Sequence, residues 1–330
     1  MAKNNNLSDF LTGVADAIRA KKGTSGLINP QDFESNIESI SASKEEQEKS
    51  VEITQNGTIV VLPDSGKVLS KVTITVNVEK EPQEYTDCIT FTGETSDFTL
   101  KTDHKEWDGT VEYSTNRTTW TTWNGTAISS SNKKLYLRGS GNTTFCTDYG
   151  ARFVLSAHAG CSGNLNTLLE YSNPPVTLSA KCYRAMFYDC TNLTSAPALP
   201  ATTLADECYA YMFRGCKSLI TAPELPATTL ANNCYAFMFG NCRNLITAPA
   251  LPATTLATEC YQYMFYDCVN LKVSSSKTGS YQYAWRIPTS GTISSTAVNW
   301  NNKMLGNTGG TFTSNPSINT TYYGAWYSEG

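Results

Sequence analysis

The chain has 330 residues, a formal net charge of −4 and only 16% charged residues. This is not the basic footprint with which nucleic-acid binders neutralise phosphates, and no run of about 18 apolar residues offers a membrane span. The length suits two or three domains at roughly 100–200 residues each. No apolar stretch of signal-peptide type follows residues 1–6, so the protein is expected to stay in the cytosol or to leave it without a cleaved signal, as on cell lysis.

In chain order, residues 1–40 read as a helical anchor. Leu7, Phe10, Leu11, Val14 and Ile18 follow helical spacing. Lys21-Lys22-Gly23 suit a helix end, with cations at the negative pole and glycine beyond it. Asn29-Pro30 supply a cap and first-turn proline to a second helix, on which Phe33, Ile37 and Ile40 share one face. Two helices this short bury too little surface to stand alone, so this hairpin is expected to dock on another protein or another copy of the chain. The polar run 41–50, SASKEEQEKS, is expected to be a linker. Residues 51–82 read as a small β-module, because Val72, Ile74, Val76 and Val78 alternate with Thr73, Thr75 and Asn77. In 83–157 the runs at 89–93, 110–114 and 134–139, separated by turn residues, predict a β-sandwich-like domain.

Residues 158–271 are dominated by a 26-residue unit. Three near-identical copies occupy 191–216, 217–242 and 243–268, the first reading TNLTSAPALPATTLADECYAYMFRGC, and a weaker copy occupies 165–190. Units of this length rarely bury their apolar side alone, so the copies are expected to stack into a solenoid. The fold class is thus mainly β, with a helical hairpin first and a solenoid last. Columns that stay constant from copy to copy mark the interior: Leu193/Leu219/Leu245/Leu271, Met186/Met212/Met238/Met264 and Phe187/Phe213/Phe239/Phe265. The Met-Phe pair is expected on a short helical turn. Two cysteine columns, Cys182/Cys208/Cys234/Cys260 and Cys190/Cys216/Cys242/Cys268, are expected to be buried, reduced ladders, since parallel stacked side chains make poor disulfide geometry. Residues 272–330 are expected to form a closing coil and cap, in which 302–308 echoes the Met-Phe-x-x-Cys segment.

Columns that change between copies mark the candidate surface: Arg184/Ala210/Ala236/Gln262, Tyr188/Arg214/Gly240/Tyr266, Asp189/Gly215/Asn241/Asp267, Thr191/Lys217/Arg243/Val269 and Asp206/Asn232/Thr258. Within them Tyr188, Arg214, Lys217, Arg243 and Tyr266 are the contact candidates, because aromatics and arginine carry binding hot spots. Their positive excess points to an anionic surface polymer. No metal site or cofactor is expected: there is no C-x-x-C pair, and His104 and His158 are the only histidines. No enzyme is expected either. The repeat carboxylates Asp189, Glu207, Glu259 and Asp267 give way to Gly215, Asn233 and Asn241 in other copies, so no acid pair of the glycosidase type stands out.

The pattern Leu-x-x-x-Pro…Cys-Tyr-x-x-Met-Phe-x-x-Cys-x-x-Leu, whose Met-Phe-x-x-Cys-x-x-Leu part stands at 212–219, 238–245 and 264–271, resembles the BspA-like leucine-rich repeat family, whose usual unit carries Ala where this chain has Met. That resemblance implies a leucine-rich-repeat solenoid and surface adhesion. The opening, 7–21 followed by Ile28-Asn29-Pro30-Gln31-Asp32-Phe33, and the closing segment 308–323 are similar to tail and appendage proteins of phages infecting gut Firmicutes. Together they imply a virion appendage of the tail-fibre or baseplate type, assembled in the host cytoplasm. Its N-terminus, through Phe10, Leu11, Val14, Ile18, Phe33 and Ile37, would join other virion proteins. The solenoid would bind a host-surface glycan or protein, and the assembly would be a homotrimer. A bacterial surface adhesin is the alternative, and a head fibre or decoration protein a further one.

Overall fold

The computed structural model describes residues 45–53, 67–76, 88–294 and 297–325. The chain divides into two compact units, Met1–Gln83 and Glu84–Gly330. In the first unit, β1 (Glu45–Ile53) pairs in parallel with β2 (Lys67–Val76), with a register irregularity between Gln47 and Glu48. Residues 45–50 are therefore strand and not linker. Pairing with β2 satisfies their backbone groups, a long-range term that a charged composition does not reveal. The helical anchor, with Phe10, Leu11, Val14, Ile18, Phe33 and Ile37, lies outside the described residues.

The second unit begins with two antiparallel sheets. β10 (Ala159–Ser162), β3 (Ile89–Gly93), β8 (Lys134–Ser140), β5 (Thr110–Ser114) and β6 (Thr121–Thr122) form one, in that order. β7 (Ile128–Ser129), β4 (Thr99–Thr102) and β9 (Phe153–Leu155) form the other. Neither sheet closes on itself. β8 alternates half-buried and buried along its whole length, so Leu135 and Leu137 face the core. Phe91 of the first sheet meets Phe153 of the second edge-on at 5.5 Å. Regular helix among the described residues is a single 3₁₀ turn, Leu165–Leu168, in which the Asn164 side chain accepts the Asn166 N–H.

The same core continues into the repeats. Phe153 packs on Phe187 at 5.3 Å, and Phe187, Phe213, Phe239 and Phe265 then stack face to face at 5.3, 5.6 and 5.7 Å. The constant Leu193, Met212 and Phe columns are fully buried or nearly so. The boundary drawn at 157/158 falls just before β10, which pairs with β3, so the sheet and the repeats share one interior.

The Met-Phe segment is not a helical turn. It is a chain of linked turns in which backbone donors alternate in purpose. Cys208, Ala210, Met212, Arg214 and Cys216 each donate to the carbonyl three residues earlier. Between them, Glu207, Tyr209, Tyr211, Phe213 and Gly215 donate to Asn232, Cys234, Ala236, Met238 and Gly240 of the next copy, at 2.8–3.1 Å. The next copy repeats this against the one after it. Beyond residue 268 the partner is 298–306: Tyr261, Tyr263 and Phe265 donate to Trp300, Asn302 and Met304. Backbone groups that a helix would pair internally are thereby split between a local turn and a neighbour.

This pattern needs a left-handed residue every four positions. Glu207, Tyr211 and Gly215 have φ of 57°, 61° and 79°, and the equivalents Asn233, Phe237 and Asn241 have 54°, 56° and 61°. Each non-glycine residue there costs about 1–2 kcal/mol. The column Asp189/Gly215/Asn241/Asp267 varies only among Asp, Gly and Asn, the residues that visit this region most readily. Its variation records a backbone requirement. Parallel bridges between Thr177, Thr203, Thr229 and Thr255 hold the opposite edge in register.

All eleven cysteines are free and buried. In the second column Cys216, Cys242 and Cys268 donate S–H bonds to the carbonyls of Phe187, Phe213 and Phe239, at 3.0, 3.0 and 2.9 Å. These thiols tie adjacent copies together. The chain closes with β11 (Val273–Ser274), β13 (Thr321–Ala325) and β12 (Tyr281–Arg286), a three-stranded sheet in that order.

Burial pushes Cys190, Cys208, Cys260 and Cys268 up to about 12 from an ordinary 9.0. The unfolded chain then loses its thiol protons first as pH rises, so stability is complete below about pH 9 and falls between about 9 and 12. The buried Tyr183, Tyr209, Tyr235 and Tyr261 hydroxyls, also raised by burial, act in the same direction. Thermal unfolding followed by circular dichroism should give a midpoint unchanged from pH 7 to 8.5 and falling steadily from pH 9 to 11. A flat profile to pH 11 would contradict the buried ladders.

Candidate ligand-binding site

The left-handed turns also build a surface. The middle left-handed position in successive copies holds Ala185, Tyr211, Phe237, Tyr263 and Lys303. From Tyr211 to Tyr263 its side chains point outward and stay half-buried. Tyr211 stacks on Phe237 at 4.8 Å, and Phe237 on Tyr263 at 4.4 Å, with ring planes within 8° and 6° of parallel. Lys303 covers the far end, 5.5 Å from the Tyr263 ring centre. At the near end Tyr149, from the loop between β8 and β9, meets Tyr188 at 4.9 Å and Tyr211 at 6.0 Å, both edge-on.

Two arginines are threaded into this stripe. Arg214 lies 5.5, 6.0 and 5.6 Å over the rings of Tyr188, Tyr211 and Phe237, and its Nη1 donates to the Tyr188 hydroxyl at 3.0 Å. Arg184 lies over Tyr149 and Tyr211 and pairs with Asp148 at 3.2 Å and Glu207 at 3.0 Å. It thus joins the β8–β9 loop to the first two copies. Burial raises the Tyr149 hydroxyl above its ordinary value, with Arg184 acting against that shift.

The sequence candidates divide here. Tyr188 and Arg214 belong to the stripe. Tyr266 joins it through Tyr263 at 5.4 Å, and its hydroxyl accepts from Asn307 at 3.2 Å. Lys217 and Arg243 are exposed, one copy apart in a single column and outside the ring stack, and Arg243 donates to the Asn241 side chain at 2.9 Å. Arg214, Lys217 and Arg243 make no ion pair among the described residues. The cysteine and phenylalanine columns lie in the core.

Two changing columns prove not to be free surface. Ala210 and Ala236 are buried. The side chains of Asp206 and Asn232 each accept the N–H of the next copy's equivalent residue, at 3.0 and 3.1 Å. Sequence reasoning placed Arg184 in a changing column without making it a contact candidate, and it missed Tyr149, Tyr211, Phe237, Tyr263 and Lys303. The repeated signal was visible in Cys-Tyr-Ala-Tyr, Cys-Tyr-Ala-Phe and Cys-Tyr-Gln-Tyr. What was not visible was that the second aromatic turns outward while the first turns in.

Parallel rings closer than 5 Å cover each other's faces, so Tyr211, Phe237 and Tyr263 offer a sugar no platform to stack on. The tryptophans among the described residues offer little more. Trp107, Trp123, Trp285 and Trp300 are buried, and Trp120 lies beneath Arg138 at 4.1 Å. What remains accessible is cationic and hydrogen-bonding: ring edges, the half-buried guanidinium of Arg214, and the exposed Lys217 and Arg243, which have no ion-pair partner among the described residues. That chemistry suits an anion.

Comparisons with protein-family models, with curated proteins and with solved structures found no match.

Phe237 and Phe239 are two residues apart yet lie on opposite sides of the turn chain. Phe239→Ala should cost about 3–5 kcal/mol, as for full core truncation. Phe237→Ala removes only stacking and a cation contact and should cost about 1–2 kcal/mol. Urea unfolding of the two variants measures both, and equal losses would contradict the outward orientation of Phe237.

Proposed function

We propose that the chain is a virion appendage of the tail-fibre or baseplate type. In this reading the N-terminal segment holds it to other virion proteins as a homotrimer. The stacked copies form a leucine-rich-repeat solenoid of the BspA-like kind and bind an anionic polymer of the host-cell surface. The repeats suit a surface-binding role because each copy adds one more position to every exposed column. The observation that carries the reading is three cations without acidic partners among the described residues: Arg214 within the aromatic stripe, and Lys217 and Arg243 one copy apart in a neighbouring column. A polymer with repeated negative charge can meet cations on successive copies, which a single compact ligand does not. Exposed charges of this kind act mainly on encounter and register.

Binding of the full chain to host cells should weaken as salt rises, because the Debye length shrinks from about 8 Å at physiological ionic strength towards 3 Å at 1 M. A variant with Ala at Arg214, Lys217 and Arg243 should bind at least about tenfold more weakly at low salt and should lose most of its salt dependence. Fluorescent protein counted on cells by flow cytometry reads both. Equal, salt-independent binding by the two proteins would refute this surface.

A further inference from the structure

We propose that a cleft where the β8–β9 loop meets the first repeat is a saccharide subsite for a neutral, polyhydroxylated sugar. It rests on the attachment reading and adds a second chemical requirement to it. The cleft has a volume of about 560 Å³, within the range of small-ligand sites and enough for one or two sugar rings. Its walls come from three separate stretches of chain: Asp103 to Glu106, Asp148 to Arg152, and Tyr188 of the first copy.

One wall is fixed in advance. Glu106, with its side chain only 13% exposed, accepts the backbone N–H groups of Thr147, Asp148 and Gly150 at 2.9, 3.1 and 3.0 Å. His104 donates its own N–H to the Gly150 carbonyl at 3.0 Å. The loop is thereby held against the β-sheets, which lowers the ordering cost of a ligand.

The rim carries matched acceptors and donors. Asp103 pairs with Arg152 at 2.8 Å, and Asp148 with Arg184 at 3.2 Å. An ionised carboxylate has about four acceptor positions, so one bond to arginine leaves others for ligand hydroxyls. Arg152 keeps further N–H groups to donate. Adjacent acceptors and donors of this kind match vicinal hydroxyls, which both donate and accept.

Charge sets the ligand class. Asp103, Glu106 and Asp148 against Arg152 and the Arg184 that pairs with Asp148 give −3 + 2 = −1, so the cleft carries no positive excess to draw the anion that the outer cations favour. Tyr149 supplies the apolar contact. It is 36% exposed, with Arg184 5.3 Å from its ring centre and Tyr188 and Tyr211 meeting it at 80° and 64°, so it offers a ligand the exposed part of a ring that has a guanidinium beside it. Tyr188 borders both the cleft and, through Arg214, the cation row. A polymer with an anionic backbone and neutral glycosyl branches would engage both together.

The test uses the full chain and a panel of neutral oligosaccharides ending in glucose, galactose or N-acetylhexosamine, read by saturation-transfer NMR and calorimetry. At least one should bind, and Asp103→Asn and Tyr149→Ala should each weaken it at least about tenfold, with unfolding midpoints showing that both variants stay folded. A variant with Ala at Lys217 and Arg243 alone, which leaves the Arg214–Tyr188 contact intact, should bind the same sugar unchanged. Absence of any binder at millimolar concentration, or binding indifferent to both cleft variants, would overturn the subsite. Cell binding separates the two ideas. If the triple variant fails on cells while Asp103→Asn binds them normally, the attachment reading stands and the cleft does not. If sugar binding depends on Asp103 while cells ignore the triple variant, the cleft stands and the cation row does not.

Discussion

The repeat region depends on one backbone constraint: every second N–H must leave its own copy and find a carbonyl in the next. Glu207, Tyr209, Tyr211, Phe213 and Gly215 meet it by pointing at Asn232 through Gly240, 25 residues on. The same demand places a left-handed residue every fourth position and so decides which side chains go inward. Tyr209 and Phe213 fall between the left-handed residues and are buried, whereas Glu207 and Tyr211 sit on them and emerge. Backbone hand thus separates the inward Tyr209 and Phe213 from the outward Glu207 and Tyr211, and the inter-copy thiol bonds of Cys216, Cys242 and Cys268 hold the copies together from inside.

The outward aromatic stripe is a by-product of that rule. Aromatic residues are poor occupants of left-handed backbone, yet Tyr211, Phe237 and Tyr263 hold these positions. Their stacking on one another, and the arginines lying over them, offset part of the strain. The cost of this arrangement is that the ring faces are used up, which moves the chemistry offered to a ligand from sugar stacking to cations and polar edges. At the near end, where Tyr149 enters from the β8–β9 loop, the parallel stack gives way to edge-on contacts beside a cleft.

Copy-to-copy comparison made the interior legible. Constant Leu, Met and Phe columns and both cysteine columns are where stacking requires identical neighbours, and they are buried. Tyr188 and Arg214 were legible as surface because they change. The comparison failed where variation had a structural cause. Asp189, Gly215 and Asn241 change within the set that left-handed backbone tolerates, and Asp206 and Asn232 change within the set that can accept the next copy's N–H. It failed again for Tyr211 and Phe237, because outward and inward aromatics alternate by backbone hand and not by helical or strand period. Strand β1 was hidden for a different reason: its pairing partner lies beyond residue 66, and composition alone carries no trace of it.

The rule that neighbours must match every 26 residues is tested most directly by deletion. Removing 217–242 joins Cys216 to Arg243 and leaves each remaining donor facing an equivalent carbonyl. Removing 217–241 shifts the following copies by one residue and turns every donor that should leave its copy into one that should stay. Differential scanning calorimetry of the two proteins decides the matter. The account predicts a single cooperative transition near that of the full chain for the first and aggregation or loss of the cooperative transition for the second. Equivalent, cooperative unfolding of both would contradict it.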